Sequence, residues 1–244
     1  IGDPLWIERF TRDDLETLRA SLLRVSPQDW YGQYLCRPVP AAGAMVDVSQ
    51  FRRYGSPAPG EAPVVDSASG QQTLSRDEVR VRATRIVVSV DTSKGASGSA
   101  ARTAIGVWCE LHGCGRMDGA YLWEATADPI GFAEQVRRAK EVCNRLRPHA
   151  LLIEDKSTGE VLIPILQEAD DWVRTPIYAI NPGIGGDKVA RMATATPQIR
   201  DGQVWIPARG ADWAPWLADF EKEMTFFPLG KLKDLVDMTS QFLN

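Results

Sequence analysis

The stretch Arg85–Gly95, RIVVSVDTSKG, decides how the rest of the chain is read. Ile86, Val87, Val88 and Val90 have the β-branched density of a strand. Asp91 closes that strand, and Thr92, Ser93, Lys94 and Gly95 then break it into a loop. A carboxylate at the end of an apolar strand contributes nothing to packing. The carboxyl ends of strands are, however, where α/β sheets collect their sites, so Asp91 is placed to hold something.

Two more strands follow, TAIGVWCEL (Thr103–Leu111) and GAYLWEAT (Gly119–Thr126), joined by a turn containing HGCGRMDG. Three strands in succession with short links predict an antiparallel meander. Phe132, Val136, Ala139, Cys143 and Leu146 then recur at three- and four-residue steps, which predicts an amphipathic helix. Asp128 and Pro129 are expected to supply its N-cap and first-turn proline. HALLIED (149–155), PIYAIN (176–181) and QVWIP (203–207) read as further strands. Between and after them, 157–169, 187–202, 213–224 and 233–244 read as helices, the first despite Pro164. A meander followed by right-handed strand–helix–strand crossovers gives a mixed sheet covered on both faces. That is an α/β, ribonuclease H-like layout: a three-strand antiparallel meander plus parallel strands, flanked by helices, with an N-terminal helical and irregular extension. Residues 1–52 are expected to form the extension, 53–83 a linker rich in Pro, Gly and Ser, and 84–244 the main domain.

The 244 residues are 44% apolar and 25% charged, with a formal charge of −4. This is ordinary globular composition. No global basic field advertises nucleic acid, although a local patch or bound metal ions can carry that attraction. Four cysteines without paired CxxC spacing and two histidines argue against zinc, and Cys143 reads as a reduced core thiol. No apolar run has the length of a membrane span, and no secretory leader is expected. The expectation is a host cytoplasmic protein, neither secreted nor membrane-bound. Because it begins at Ile1 rather than Met, the chain reads as a fragment or processed product of something longer.

Acidic residues stand at three element ends. Asp91 ends the first strand of the meander, Glu154 ends ALLIED, and Asp234 and Asp237 lie three apart on one face of the last helix. Singly each has an ordinary reading, as a loop acid, a helix-start acid favoured by the macrodipole or a solvated face. Together, if the strands of Asp91 and Glu154 are neighbours, they converge. Carboxylates so close repel unless a cation intervenes. Oxygen ligands without Cys or His select Mg²⁺ or Mn²⁺, and two such ions can clamp a phosphodiester during in-line displacement. Asp155 should point to the other side of its strand and is left out.

These residues resemble a known family. VVSVDTSKG, LLIEDKSTG and GKLKDLVDMTSQ are similar, in order, to the three nuclease motifs in the C-terminal region of the large terminase subunit of tailed double-stranded DNA phages. GDKVARMATATPQIRDGQVWIP is similar to a family stretch between the second and third. DPLWIERFTRDDLETLR, WYGQYLCRPVP and DVSQFRRY look like the stretch that joins the packaging ATPase to the nuclease. The resemblance implies a metal-dependent endonuclease that cuts concatemeric viral DNA. Its partners would be double-stranded DNA, the portal, the small terminase subunit and the ATPase half of the same chain. Asp91, Glu154 and Asp234 occupy the matching acid positions, with Asp237 a second acid one turn on. Many relatives carry two adjacent aspartates in the third motif; here the first is Lys233. No G-x-x-x-x-G-K-[ST] loop is present, so ATP hydrolysis is not expected of these residues.

For the DNA path, the candidates are Lys94 after Asp91, Lys156 after Glu154, and Lys188 with Arg191 at the start of a helix, all as phosphate contacts. SKGASGSA reads as a loop able to order over the cut site or to have no role. Alternatives are a transposase- or resolvase-type nuclease and a non-catalytic docking module of the packaging motor. A sugar-kinase-like ATPase would need a second lobe and a second phosphate loop.

Overall fold

A computed structural model describes residues 11–25, 45–93, 102–155, 158–172, 174–181 and 187–244. Its contacts divide the chain into two units, Ile1–Ala44 and Met45–Asn244. In the first, helix α1 (Arg12–Val25) starts where Thr11 and Asp14 bond reciprocally. Of the expected extension 1–52, residues 1–10 and 26–44, WYGQYLCRPVP among them, lie outside the described residues, and residues 45–52 belong to the second unit.

Among the described residues, seven strands of the second unit form one sheet: β1 (Arg52–Tyr54), β2 (Arg85–Asp91), β3 (Thr103–Leu111), β4 (Gly119–Asp128), β5 (Ala150–Glu154), β6 (Ile177–Ile180) and β7 (Val204–Pro207), in the order β1-β7-β4-β3-β2-β5-β6. β2, β3 and β4 form the antiparallel meander. β5 and β6 extend it in parallel beyond β2, and β7 and β1 do so beyond β4. The mixed ribonuclease H-like sheet read from the sequence is the observed one.

Helices cover both faces. On one, Ile86, Val88, Val90, Leu151 and Ile153 pack against α2 (Arg76–Arg82), α3 (Phe132–Leu146) and α4 (Gly159–Glu168) through Val79, Cys143 and Leu162. On the other, Ala104, Trp108 and Leu122 pack against α5 (Lys188–Arg200), α6 (Leu217–Phe226) and α7 (Asp234–Leu243) through Met192, Phe220 and Met238. Burial pushes the Cys143 thiol up to about 12, as suits an inert core residue.

Two expectations need correction. The stretch 53–83 is not a plain connector: it contributes most of edge strand β1 and all of α2. Ser75 and Glu78 form a capping box at the start of α2. The loop between β1 and α2 is tied to the domain by Arg52, whose guanidinium donates to both oxygens of Asp66 (3.0 and 2.6 Å) and stacks on Trp205. Hydrogen bonding to Arg52 draws the Asp66 carboxyl down to about 2. The second correction concerns α3, which begins at Phe132 with Gly131 as its N-cap. Asp128 is instead claimed by β4, where it pairs with Thr103, and by an ion pair with Arg138.

The close seat of α7 on the sheet bears most on function. A Cβ at Gly106 of β3 would lie 2.1 Å from Met238 Sδ, so the absent side chain is what admits the helix. Ser89 Oγ of β2 donates to the Met238 carbonyl (2.8 Å), and Gln241 Nε2 donates back to Ser89 Oγ (3.1 Å). Trp108 stacks on Phe242 at 4.5 Å. Gly106→Ala is expected to overpack this contact and lower stability by about 1–3 kcal/mol. Chemical denaturation would measure it, and an unchanged midpoint would contradict the seat described.

Candidate active site

β2 and β5 run side by side in parallel, with Val90 opposite Ile153. One residue further, Asp91 and Glu154 leave the sheet together at its carboxyl edge. Side chains alternate along a strand, so Asp91 shares the face of Ser89, which touches α7. Asp91 is buried and Glu154 half-buried. Asp155 is exposed, and its N–H donates to the Ile180 carbonyl.

The exit from each strand is fixed by groups that carry no site chemistry. The Ser93 carbonyl accepts from buried Gln135 of α3 (2.9 Å) and from Thr158 Oγ1 (3.0 Å). Gly159, which opens α4, presses on the last residue of β5: a Cβ there would lie 1.9 Å from the Glu154 carbonyl oxygen. A side chain at 159 would therefore displace the backbone that carries Glu154.

α7 brings the remaining acids, and they differ. Asp237 is buried and enters the cluster; its Oδ2 bonds Lys188 Nζ, while its Oδ1 is buried without a hydrogen-bond partner, Arg191 standing 3.7 Å away. Asp234, at the first position of the helix, is drawn toward Arg102 (3.1 Å). Arg102 also pairs with buried Glu223 of α6, whose other oxygen accepts the free N–H of Leu235 (3.0 Å).

Lys188 and Arg191 point at the carboxylates. Besides its bond to Asp237, the cation of Lys188 feels Asp91 and Glu154. Arg191, also buried, donates to Glu154 at 3.0 Å. Lys94 and Lys156, and the loop SKGASGSA from Lys94 on, lie outside the described residues. The structure thus brings Asp91, Glu154 and Asp237 together with Lys188 and Arg191, and sets Asp234 at the rim.

The electrostatics follow. Burial, then the negative fields of Asp237, Glu154 and Asp234, raise the Asp91 carboxyl well above the usual aspartate range, against the pull of Lys188. Burial likewise leaves Asp237 raised despite its cationic neighbours. Burial opposes the charge on Lys188, but its bond to Asp237 and the surrounding carboxylates hold its pKa above the ordinary value. Among the described residues, no three His, Cys, Asp or Glu side chains stand, as they lie, in a group that could hold a metal ion.

Arg102 and Glu223 were not legible in the sequence. Glu223 sits in ADFEKEM, where it reads as one more acid on an amphipathic helix, and Arg102 follows a run of small residues with no pattern of its own.

An acid whose native pKa is raised lends stability that is complete below the unfolded value, near 3.8, and lost as pH rises through the native value. With chelator present, the protein should therefore melt at a higher temperature at pH 5 than at pH 7. Asp91→Asn should be more stable than the parent at pH 7 and show a shallower pH slope. Thermal melts showing the substituted protein to be the less stable would contradict this electrostatic account.

The sequence profile of the terminase RNaseH-like domain matches residues 88–244. No curated protein sequence matches the chain. Among solved structures, the large terminase nuclease from thermophilic phage G20c with bound magnesium is similar over 84% of this chain and 98% of its own, at 12% identity and TM-score 0.53. A large terminase from another thermophilic bacteriophage, in complex with ATP-gamma-S, is similar over 66% of this chain at 11% identity and TM-score 0.45; the match spans 40% of that longer protein. T. thermophilus RuvC in complex with Holliday junction substrate is similar over 65% of this chain and 90% of its own, at 16% identity and TM-score 0.39. At 12% identity the likeness to the G20c nuclease bears on the fold alone, whereas the profile covers most of the sequence. The chain belongs to the family of terminase RNaseH-like domains.

Proposed function

We propose that this chain is a divalent-metal-dependent DNA endonuclease, the nuclease part of a large terminase subunit, which cuts concatemeric viral double-stranded DNA during packaging. The observation that carries the reading is the gathering of Asp91, Glu154 and Asp237 at one sheet edge, with a buried Asp237 oxygen left without a hydrogen-bond partner. An unpartnered buried carboxylate oxygen is costly unless something is meant to meet it. The donor set is all oxygen, which fits Mg²⁺ or Mn²⁺; the G20c nuclease was solved with bound magnesium.

In this reading Asp91, Glu154 and Asp237 hold the metal, two ions in all with Asp234 as an outer ligand. Sequence alone favours Asp234 over Asp237. The Arg102 contact at Asp234 and the partnerless oxygen of Asp237 support the reverse order. Bound divalent ions supply a Lewis acid for the scissile phosphate and make a hydroxide-like nucleophile from water near neutral pH. The chain's own part is to fix ligand geometry. Gly159 and Ser93 hold the strand exits, Ser89 and Gln241 hold α7, and Glu223 anchors Arg102 beside Asp234. The ATPase half of the same chain, the portal and the small terminase subunit are the proposed partners. No helix among the described residues is long and apolar enough to cross a membrane.

Plasmid nicking tests the proposal. The chain should nick supercoiled DNA with Mn²⁺ or Mg²⁺ and not with EDTA. Glu154→Ala and Asp237→Asn should each lose more than the roughly 10–100-fold typical of outer-shell partners. Cutting that survives both substitutions would remove this site from the chemistry; no cutting by the unsubstituted chain would favour the docking-module reading.

A further inference from the structure

Lys188 and Arg191 are two of the four DNA contacts expected from the sequence, yet both turn onto the carboxylates. Their situations are unusual for structural ion pairs. The Arg191 side chain is 8% exposed, and its buried Nε has no hydrogen-bond partner, so the guanidinium is only partly satisfied where it lies. The Lys188 side chain remains 50% exposed while its ammonium bonds the buried Asp237. They lie three residues apart on the first turn of α5 and so share a face. One arrangement accounts for all of this: the internal cations occupy Asp237 Oδ2 and Glu154 Oε1, oxygens that a metal would otherwise share.

We propose that Lys188 and Arg191 are exchangeable counter-ions. They neutralise Glu154 and Asp237 while no metal is bound, and they pass to the backbone phosphates of DNA lying across the site, releasing carboxylate oxygens to the divalent ion. The inference rests on the metal centre proposed above. Lys188 has the reach and exposure for such a swing, a point charge on a flexible four-carbon stem. Arg191 trades one 3.0 Å hydrogen bond, a looser 3.7 Å approach to Asp237 and an idle Nε for the forked, two-oxygen contact that a phosphate offers. No bond is made or broken; only ion pairs change partners. Metal and DNA then favour the same rearrangement, so each must raise the affinity for the other by an equal factor. The metal centre would thereby assemble where DNA is present and stay closed by its own side chains elsewhere.

Mn²⁺ binding to the 244-residue chain, followed by electron paramagnetic resonance of the free ion, tests this with and without a short nuclease-resistant phosphorothioate duplex. The unsubstituted chain should bind Mn²⁺ about tenfold more tightly with the duplex, within the usual range of coupling between sites. Lys188→Gln should bind Mn²⁺ more tightly than the parent without DNA and lose most of the duplex effect. Arg191→Gln, checked for folding by its melting transition, should move both quantities in the same direction; should it fail to fold, Lys188→Gln alone decides. A merely neighbouring charge would raise Mn²⁺ affinity yet leave the duplex effect intact, and that outcome would overturn the exchange. So would a Lys188→Gln chain that binds Mn²⁺ no better than the parent. If the parent shows no Mn²⁺ uptake that Asp91→Asn abolishes, the metal centre itself is wrong, which is a separate failure.

Discussion

Everything in this domain is arranged around the repulsion between carboxylates at one end of the sheet. Two unit charges about 4 Å apart interact by about 4 kcal/mol at an effective dielectric of 20. That is a large fraction of the net stability of an ordinary domain. Asp91 and Asp237 are both buried there, with Glu154 and Asp234 beside them. The fold tolerates the crowding because cations reach in from two directions. Lys188 and Arg191 come from α5, and Arg102 comes from the residue that precedes β3. A purely structural sheet edge would have no use for such a concentration of like charge, and the free energy spent on it is the strongest physical sign of a site.

The scaffold holds α7 to close tolerance, since that helix carries two of the four acids. Its placement depends on a missing side chain at Gly106, on the buried pair Ser89 and Gln241, and on the stack of Trp108 with Phe242. Glu223 adds a buried carboxylate that accepts a free N–H at the start of the same helix while orienting Arg102. Sites built on packed elements with satisfied supporting contacts are more exact than sites on loops. Here the strand ends and the helix are each fixed by groups other than the clustered carboxylates.

How much of this could be read from residues alone divides along a physical line. Asp91 and Glu154 were legible because an apolar strand that ends in an acid breaks its own pattern, and parallel pairing of β2 with β5 then aligns them. The meander and the helical crossovers were legible from periodicity. The edge strand β1 was not, since three residues give no period to detect. Helix α2 was hidden in a Pro- and Gly-rich stretch, although its Ser75 and Glu78 carried a capping signal. The direction of Lys188 and Arg191 was beyond reach: a cation near a site edge can face solvent or turn inward, and only the positions of Glu154 and Asp237 settle which. The choice between Asp234 and Asp237 likewise depends on Arg102, which comes from a distant part of the chain.

The central claim is that Asp91, Glu154 and Asp237 share a divalent-cation pocket. A crystal structure of the chain grown with Mn²⁺, with anomalous scattering at the manganese edge, tests it directly. The account predicts anomalous density among these three side chains at about 2.0–2.3 Å from carboxylate oxygens, the range of hard-cation ligands. Strong manganese density elsewhere, with Lys188 and Arg191 still paired to Asp237 and Glu154, would contradict it.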